Sequence, residues 1–112
     1  MQNDNRLEQL LKFFEQEPND PFLQYALATE YLRNNKLEMA LFYYERLINN
    51  HQNYVGTYYH LGKLYELLGR KEDAIKTYYD GIQISKNKKD FHALSELQGV
   101  YNAIIGLDDE GD

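Results

Sequence analysis

Residues 58–82 read YYHLGKLYELLGRKEDAIKTYYDGI, and this stretch decides the fold because it repeats an earlier one. Seven of its residues keep their identity, without a gap, when 34 is subtracted from the residue number. They are Tyr59, Leu61, Tyr65, Glu72, Ala74, Tyr78 and Ile82, which fall on Tyr25, Leu27, Tyr31, Glu38, Ala40, Tyr44 and Ile48. Gly62 falls on Ala28, so a small residue again takes the place of a small residue. This agreement at one offset predicts a tandem repeat.

Each repeat unit is predicted to form two helices. Apolar residues recur at steps of three and four in both halves of a unit, which is the spacing of one helical stripe. Asp20 followed by Pro21 favours a helix start, because Asp caps free amides and Pro suits the first helical position. Asn35 and Gly69 favour left-handed helix ends. No stretch alternates with period two, so we expect no strands.

The two ends of the chain extend the register without completing it. Residues 3–16 resemble a lone second helix, and Asn5 followed by Glu8 is typical of a capping box. Residues 90–106 are amphipathic and are expected to cover the open face of the last repeat, as helical solenoids require. The acidic residues 108–112 are expected to be disordered.

These patterns predict one all-α domain over residues 1–112, an α-solenoid of antiparallel helix pairs with six helices. Two full units, residues 21–54 and 55–88, lie between an N-terminal half-repeat helix and a C-terminal capping helix. Small residues are expected where the helices of a pair cross, with Ala28 facing Ala40 and Gly62 facing Ala74. A glycine inside a helix costs about 1 kcal/mol relative to alanine, which indicates a packing reason for Gly62.

The stretch resembles the tetratricopeptide repeat family, whose pattern spans 34 residues. In the second unit the family positions hold Tyr58, Leu61, Gly62, Tyr65, Ala74, Tyr78 and Gly81. In the first unit they hold Gln24, Leu27, Ala28, Tyr31, Ala40, Tyr44 and Leu47. The proline that usually ends a unit is replaced by Gln52 and Lys86. The resemblance implies a helical-repeat fold, and it implies partner binding on the concave face that the first helices line.

Composition and charge exclude several classes of function. The formal net charge is −6, and an acidic chain repels phosphate backbones and anionic membranes, so neither nucleic acid nor a membrane is expected as partner. The chain has no cysteine, which excludes disulfides, thiolate metal ligands and a cysteine nucleophile. The N-terminal residues lack the pattern of a signal peptide, so we expect a cytoplasmic protein.

Reactive chemistry is sparse along the sequence, and we expect neither an enzyme nor a cofactor. No Gly-rich phosphate loop is present, and no two carboxylates are placed around a predicted cleft. His92 and Glu96 are one helical turn apart and could share a metal. No other ligand pair has matching spacing, so we expect no metal site.

The candidate binding residues lie on the first helix of each pair, away from the packing stripe. They are Phe22, Tyr25, Thr29, Arg33, Tyr59, Lys63 and Glu66. Aromatic and charged side chains mixed in this way are typical of interface hot spots. Alternatively, Tyr25 and Tyr59 complete the packing between helices while the charged side chains are only exposed to solvent.

The sequence therefore predicts an adaptor that binds a peptide or helical segment of another protein in the concave groove. The alternative is a structural module that self-associates through the outer helices, with Phe42, Tyr43 and Tyr79 as candidate contacts. We expect a monomer or a weak homodimer. The sequence does not identify the partner.

Overall fold

The computed structural model describes residues 2–106, with side chains from residue 5 onward. Within this range the secondary structure consists of six α-helices and contains no strand. They are α1 (Gln2–Gln16), α2 (Pro21–Arg33), α3 (Leu37–Asn50), α4 (Gly56–Leu67), α5 (Lys71–Lys88) and α6 (Phe91–Ile105). The predicted all-α helical-repeat fold is confirmed. The acidic segment 108–112, predicted to be disordered, lies outside the described residues.

The helices divide into two compact units, residues 1–54 and residues 55–112. In the first unit α2 packs against α3, and α1 packs on α2. In the second unit α4 packs against α5, while α6 packs on α5 and makes a smaller contact with α4. Each unit therefore contains one pair of neighbouring helices and one additional helix.

Helix ends in both units follow the predicted local chemistry. The Asp20 carboxylate accepts a hydrogen bond of 2.9 Å from the backbone N–H of Phe22, and Pro21 opens α2. Asn35 and Gly69, which are 34 residues apart, both adopt left-handed backbone conformations with φ of 61° and 75°. The turn within each helix pair therefore depends on a residue that accepts positive φ.

The predicted capping box of the first helix is wrong. We expected Asn5 to cap it, but α1 already begins at Gln2 and therefore contains Asn5. Neither Pro nor Gly occurs in the three residues before Asn5, so the sequence offers nothing that would break the helical backbone there.

The core of each unit is built from residues of the repeated apolar stripe. In the first unit the most deeply buried apolar residues are Leu27, Ala28, Ala40, Tyr44 and Leu47. In the second unit they are Leu61, Leu64, Ala74, Tyr78 and Leu97. The pairs Leu27–Leu61, Ala40–Ala74 and Tyr44–Tyr78 are related by the 34-residue offset. Residues that repeat in the sequence are therefore residues that form the core of each unit.

Gly62 lies at a close contact between α4 and α5. A Cβ atom built on Gly62 would overlap the Tyr78 ring, with Cε1 as the nearest atom. The nearest neighbour of this position is thus the Tyr78 ring, whereas the sequence led us to expect Ala74. The same kind of contact occurs at Gly81, where an added Cβ would lie 2.5 Å from Cβ of Tyr58.

We expect Gly62→Leu to destabilise the protein by about 1–3 kcal/mol, the usual cost of overpacking a core. The added side chain overlaps the Tyr78 ring, which is itself fully buried and cannot turn away. Thermal unfolding followed by circular dichroism measures the effect.

The matched control is Gly99→Ala, because Gly99 also lies inside a helix but has nothing within 4 Å of an added Cβ. This control should raise the melting temperature, since alanine favours a helix over glycine by about 1 kcal/mol. Equal melting temperatures for Gly62→Leu and the natural protein would contradict the close contact.

We expect Leu97→Ala to cost about 2–5 kcal/mol, because the Leu97 side chain is 1% exposed and fixes α6 on α5. Its Cδ1 atom lies 3.0 Å from a Cβ built at Gly81. Ile105→Ala, at a position that is 39% exposed on the same helix, should cost much less. Urea unfolding of the two variants measures the difference, and similar losses would show that α6 is not held through Leu97.

Candidate functional site

The residues predicted to bind a partner lie on α2 and α4, the first helix of each helix pair. We call Phe22, Tyr25, Thr29 and Arg33 the α2 face, and Tyr59, Lys63 and Glu66 the α4 face. The two faces belong to different compact units. Each face is therefore described on its own helix.

The aromatic residues of the α2 face differ in how much of their surface is free. Phe22 is 60% exposed, in the first turn of the helix. Tyr25 is half-buried, with its ring centroid 6.2 Å from that of Tyr44 and 5.6 Å from that of Tyr54. Burial raises the pKa of Tyr25, and the neighbouring Tyr54 raises it further. Tyr25 thus packs within the unit, while Phe22 leaves most of its ring open to a ligand.

The polar residues of the α2 face also have different environments. The Thr29 hydroxyl shares a hydrogen bond of 2.9 Å with the Tyr44 hydroxyl, so Thr29 supports a buried ring. Arg33 is exposed in the last turn of α2, where its charge favours the negative end of the helix dipole. Arg33 has no acidic partner among the described residues. Its guanidinium is available to an anionic group.

The α4 face has a similar division. Tyr59 is half-buried, and its ring meets the His60 ring edge-on with 5.6 Å between centroids. Lys63 is exposed and forms no ion pair with any side chain that the structure describes. Glu66 accepts a hydrogen bond of 2.5 Å from the Tyr78 hydroxyl. Lys63 is therefore the charged side chain of this face that is free to meet a ligand.

Thr29 and Glu66 have the same role in the two repeats, because each provides a hydrogen-bond partner for a buried tyrosine. Tyr44 and Tyr78 are equivalent, and each is fully buried with a hydroxyl that needs a partner. Burial raises the pKa of Tyr44 to about 12, although the hydrogen bond with Thr29 offsets part of the shift. Burial also raises the pKa of Tyr78, as does its hydrogen bond to the Glu66 carboxylate. Both tyrosines are held in the neutral form.

The aromatic side chains of α3 and α5, the outer helices, differ in exposure from the prediction. Tyr43 is 8% exposed, so the prediction that it forms an outer contact is wrong. Its ring stacks on Tyr31 at 5.7 Å and meets Phe14 edge-on, because α1 covers that side of α3. Phe42 and Tyr79 are 52% and 51% exposed and remain candidates for an outer contact.

Sequence reasoning missed a buried polar cluster in the first unit. Glu30 is 1% exposed, and one carboxylate oxygen lies 3.3 Å from Nε of Arg6. Gln24 is fully buried and donates a hydrogen bond of 2.8 Å to the carbonyl oxygen of Pro18. The signal was present in the register, since Glu30 occupies the place of the core residue Leu64. These contacts hold α1 and the following turn on α2.

Titratable residues do not gather into a metal site. Within residues 5–106, no group of three or more His, Cys, Asp or Glu side chains is close enough to hold an ion. His92 lies 3.5 Å from Glu96 on the exposed surface of α6. No helix in the described part of the chain is both long and apolar enough to cross a bilayer.

We expect the protein to lose stability above pH 10, where Tyr44 ionises in the unfolded chain but not in the folded one. Its folded pKa of about 12 exceeds the ordinary value of 10.0, so the contribution is complete below pH 10 and is lost towards pH 12. The loss is on the order of 1–3 kcal/mol. Urea unfolding across this pH range measures it.

Tyr44→Phe should reduce this alkaline decline, because phenylalanine has no proton to lose, while Tyr78, whose pKa is also raised, keeps its own contribution. Tyr79→Phe is the matched control, since the Tyr79 ring is 51% exposed. An unchanged slope in Tyr44→Phe, or an equal change in both variants, would show that burial of Tyr44 does not govern the alkaline behaviour.

The comparisons with known proteins agree with this architecture. The family model of the tetratricopeptide repeat matches residues 23–50 and 55–88, more than half of the chain. The crystal structure of a tetratricopeptide repeat domain protein from Salinibacter ruber is 48% identical, with a TM-score of 0.76 over 79% of this chain and 99% of that chain. Its solution NMR structure gives 48% identity and a TM-score of 0.77 over 80% and 91% of the two chains.

A more distant similarity is to MamA. Its crystal structure is 25% identical, with a TM-score of 0.73 over 96% of this chain and 57% of the MamA chain. No curated protein matches the sequence. The two matched segments coincide with the two helix pairs, and the 48% identity extends over most of the chain. The chain belongs to the tetratricopeptide repeat family.

Proposed function

We propose that the protein is an adaptor that binds a peptide or helical segment of another protein through the α2 face and the α4 face. Tetratricopeptide repeats generally mediate protein–protein interaction. In stacked helical repeats the binding surface is the concave one, and the first helices of the pairs line it. We assign the α2 face and the α4 face to this binding surface.

The main support for this proposal is the solvent-exposed surface of side chains on α2 and α4. Phe22 keeps 60% of its surface exposed, although exposing a large apolar ring has no stabilising effect on the folded chain. Arg33 and Lys63 have no ion-pair partner within residues 5–106. Aromatic and cationic side chains that the fold does not use are those that a ligand can engage.

These groups also define the chemistry of the ligand. Phe22 and the half-buried Tyr25 offer apolar contact, and Arg33 offers a cation on the same helix. On α4, Tyr59 and Lys63 are one helical turn apart and offer the same combination. We therefore propose a partner segment that carries an acidic or C-terminal carboxylate group beside an apolar side chain.

Thr29 and Glu66 have a supporting part in this proposal. Their polar atoms form hydrogen bonds with the hydroxyls of Tyr44 and Tyr78. We propose that these bonds keep α2 and α4 in position on their units, and with them the neighbouring ligand contacts. Replacing them would disturb the fold as well as binding. For this reason neither is a suitable test of ligand contact.

We expect the double variant Tyr59→Ala with Lys63→Ala to bind the partner at least about tenfold more weakly, which corresponds to 1.4 kcal/mol. Phe22→Ala with Arg33→Ala should do the same on the other helix. Both variants should keep the helical circular dichroism spectrum, because the four side chains are exposed or half-buried. Partners captured from the source cell are identified by mass and then titrated by calorimetry against each variant.

The control is Phe42→Ala with Tyr79→Ala on the outer helices, where both rings are about half exposed. It should leave the affinity unchanged. If the outer pair abolishes binding and the two inner pairs do not, the assignment to α2 and α4 is wrong.

The alternative function, a module that self-associates through its outer helices, is favoured by the exposed rings of Phe42 and Tyr79. Light scattering over a range of concentrations separates the two functions. If the outer helices pair, the mass should rise with concentration in the natural protein and not in the outer double variant.

A further inference from the structure

The outer surface of α3 carries an arginine whose position is fixed by an aromatic ring of α1. The guanidinium carbon of Arg46 lies 5.8 Å from the centroid of the Phe14 ring, which is within the range of a cation–π interaction. Phe14 also packs edge-on against Tyr43. The ring beneath Arg46 is therefore held by the first unit, and it restricts the orientations that the guanidinium can adopt.

The chain does not use the hydrogen-bonding capacity of Arg46. Its Nε atom is shielded from solvent and donates no hydrogen bond to any described residue, while its two terminal nitrogens stay accessible. Arg46 also forms no ion pair with a carboxylate among residues 5–106. Part of its positive charge is therefore neither hydrated nor paired, and an anion at the terminal nitrogens would compensate for this.

The second repeat supplies a counter-ion at the equivalent place. The residues equivalent to Phe42 and Arg46 are Lys76 and Asp80, 34 residues later. Nζ of Lys76 lies 2.8 Å from the Asp80 carboxylate, so these two charges neutralise each other. In the first repeat the same two positions hold a ring that is 52% exposed and a cation without an ion-pair partner in the described part of the chain. The unpaired charge is therefore a property of α3 and not of the repeat.

Phe42 and Arg46 border an open cavity of about 280 Å³ on α3. It is lined by Phe42, Glu45, Arg46, Asn49 and Asn50, and we call it the α3 cavity. The two asparagine amides are neutral hydrogen-bond donors beside the guanidinium, and the Phe42 ring provides an apolar wall. The cavity therefore combines one cation, two amides and one aromatic surface.

The rest of the lining limits the charge of a ligand. Glu45 places a carboxylate at the cavity, and Asn49 and Asn50 lie in the last turn of α3, at the negative end of the helix dipole. Both features disfavour a doubly charged phosphate, whereas one carboxylate is matched by the single guanidinium. An open cavity on one helix also encloses a small free ligand poorly, since such ligands normally bury most of their surface. The ligand that fits is a side chain presented by a protein segment.

We propose that the α3 cavity binds an acidic side chain of a partner protein, with a neighbouring apolar side chain of the same segment on the Phe42 ring. The carboxylate accepts hydrogen bonds from the terminal nitrogens of Arg46 and from the amide of Asn49. The site lies on the second helix of its pair, so it is separate from the α2 face and the α4 face. It does not depend on the function proposed for those faces.

Nuclear magnetic resonance of the ¹⁵N-labelled natural protein tests the site with a capped dipeptide, acetyl-Phe-Glu-amide. We expect this dipeptide to shift the backbone amide signals of residues 42–50, which belong to α3. Acetyl-Phe-Gln-amide lacks the charge and acetyl-Ala-Glu-amide lacks the ring. Each should bind to α3 at least about fivefold more weakly, because each loses one of the two proposed contacts.

Substitution of Arg46 tests the assignment to this side chain. Arg46→Gln should remove the shifts on α3, because the cation is lost. Arg46→Lys keeps the charge but not the planar fork, and it should weaken binding as well. Arg33→Gln on α2 is the matched control and should leave the α3 shifts unchanged. The comparison of the three dipeptides uses the natural protein, so it holds even if a variant unfolds.

The pattern of shifts separates this site from the α2 and α4 faces. Shifts confined to α2 and α4 would overturn the α3 site and support those faces, whereas shifts confined to α3 would support the α3 site alone. Shifts of residues 42–50 that survive Arg46→Gln, or that are equal with the uncharged dipeptide, would also overturn the proposal. Shifts of these residues that appear on raising the protein concentration without dipeptide would assign the cavity to a second copy of the chain, and would overturn it too.

Discussion

The structure depends on one contact, a buried tyrosine ring that lies over a very small residue of the neighbouring helix. Tyr78 fully covers Gly62, and there is no space for even a Cβ atom between them. Its equivalent Tyr44 is also fully buried. The Tyr78 ring can lie this close to the backbone of α4 only because residue 62 has no side chain, so Gly62 and Tyr78 form one unit of packing.

Burying the ring creates a second requirement, because a tyrosine carries a hydroxyl into the interior. The first helix of each pair supplies the partner, with Thr29 for Tyr44 and Glu66 for Tyr78. These partners lie on the same faces to which we assign ligand binding. In each unit, core packing and the proposed recognition surface therefore share the first helix of the pair, and the proposed ligand contacts lie beside side chains that the core holds in place.

Much of this was predictable from the sequence, since a 34-residue offset that preserves core residues also preserves their contacts. The offset and the local capping residues together predicted the six helices, the cap at Asp20 and the left-handed turns at Asn35 and Gly69. Tyr43 was misassigned because periodicity gives the spacing of a stripe but not the neighbours outside the repeat. Here α1 brings Phe14 onto Tyr43 and buries it.

The buried Glu30 was missed for a related reason. Glu30 occupies the position that the core residue Leu64 has in the second repeat, so the sequence placed a charged residue at an apolar position. It did not show that Arg6 lies beside this carboxylate. Which residues of the α2 and α4 faces contact a ligand stays a prediction. The sequence marks them as lying off the packing stripe. In the structure Thr29 and Glu66 hydrogen-bond buried tyrosines, and Tyr25 packs against Tyr44 and Tyr54.

The different partners of Tyr44 and Tyr78 limit how freely the two repeats can be exchanged. Glu66 corresponds to Leu32 in the first repeat, and Thr29 corresponds to Lys63 in the second. A recombinant chain that carried α2 in the place of α4 would offer Tyr78 a leucine in place of Glu66, but it would also bring the Thr29 hydroxyl in place of Lys63. The two repeats share one backbone plan, but each has its own hydrogen-bond partner for the tyrosine hydroxyl. A whole first helix therefore carries a partner for the buried hydroxyl with it, whereas an averaged consensus that combined Leu32 with Lys63 would leave that hydroxyl with neither partner.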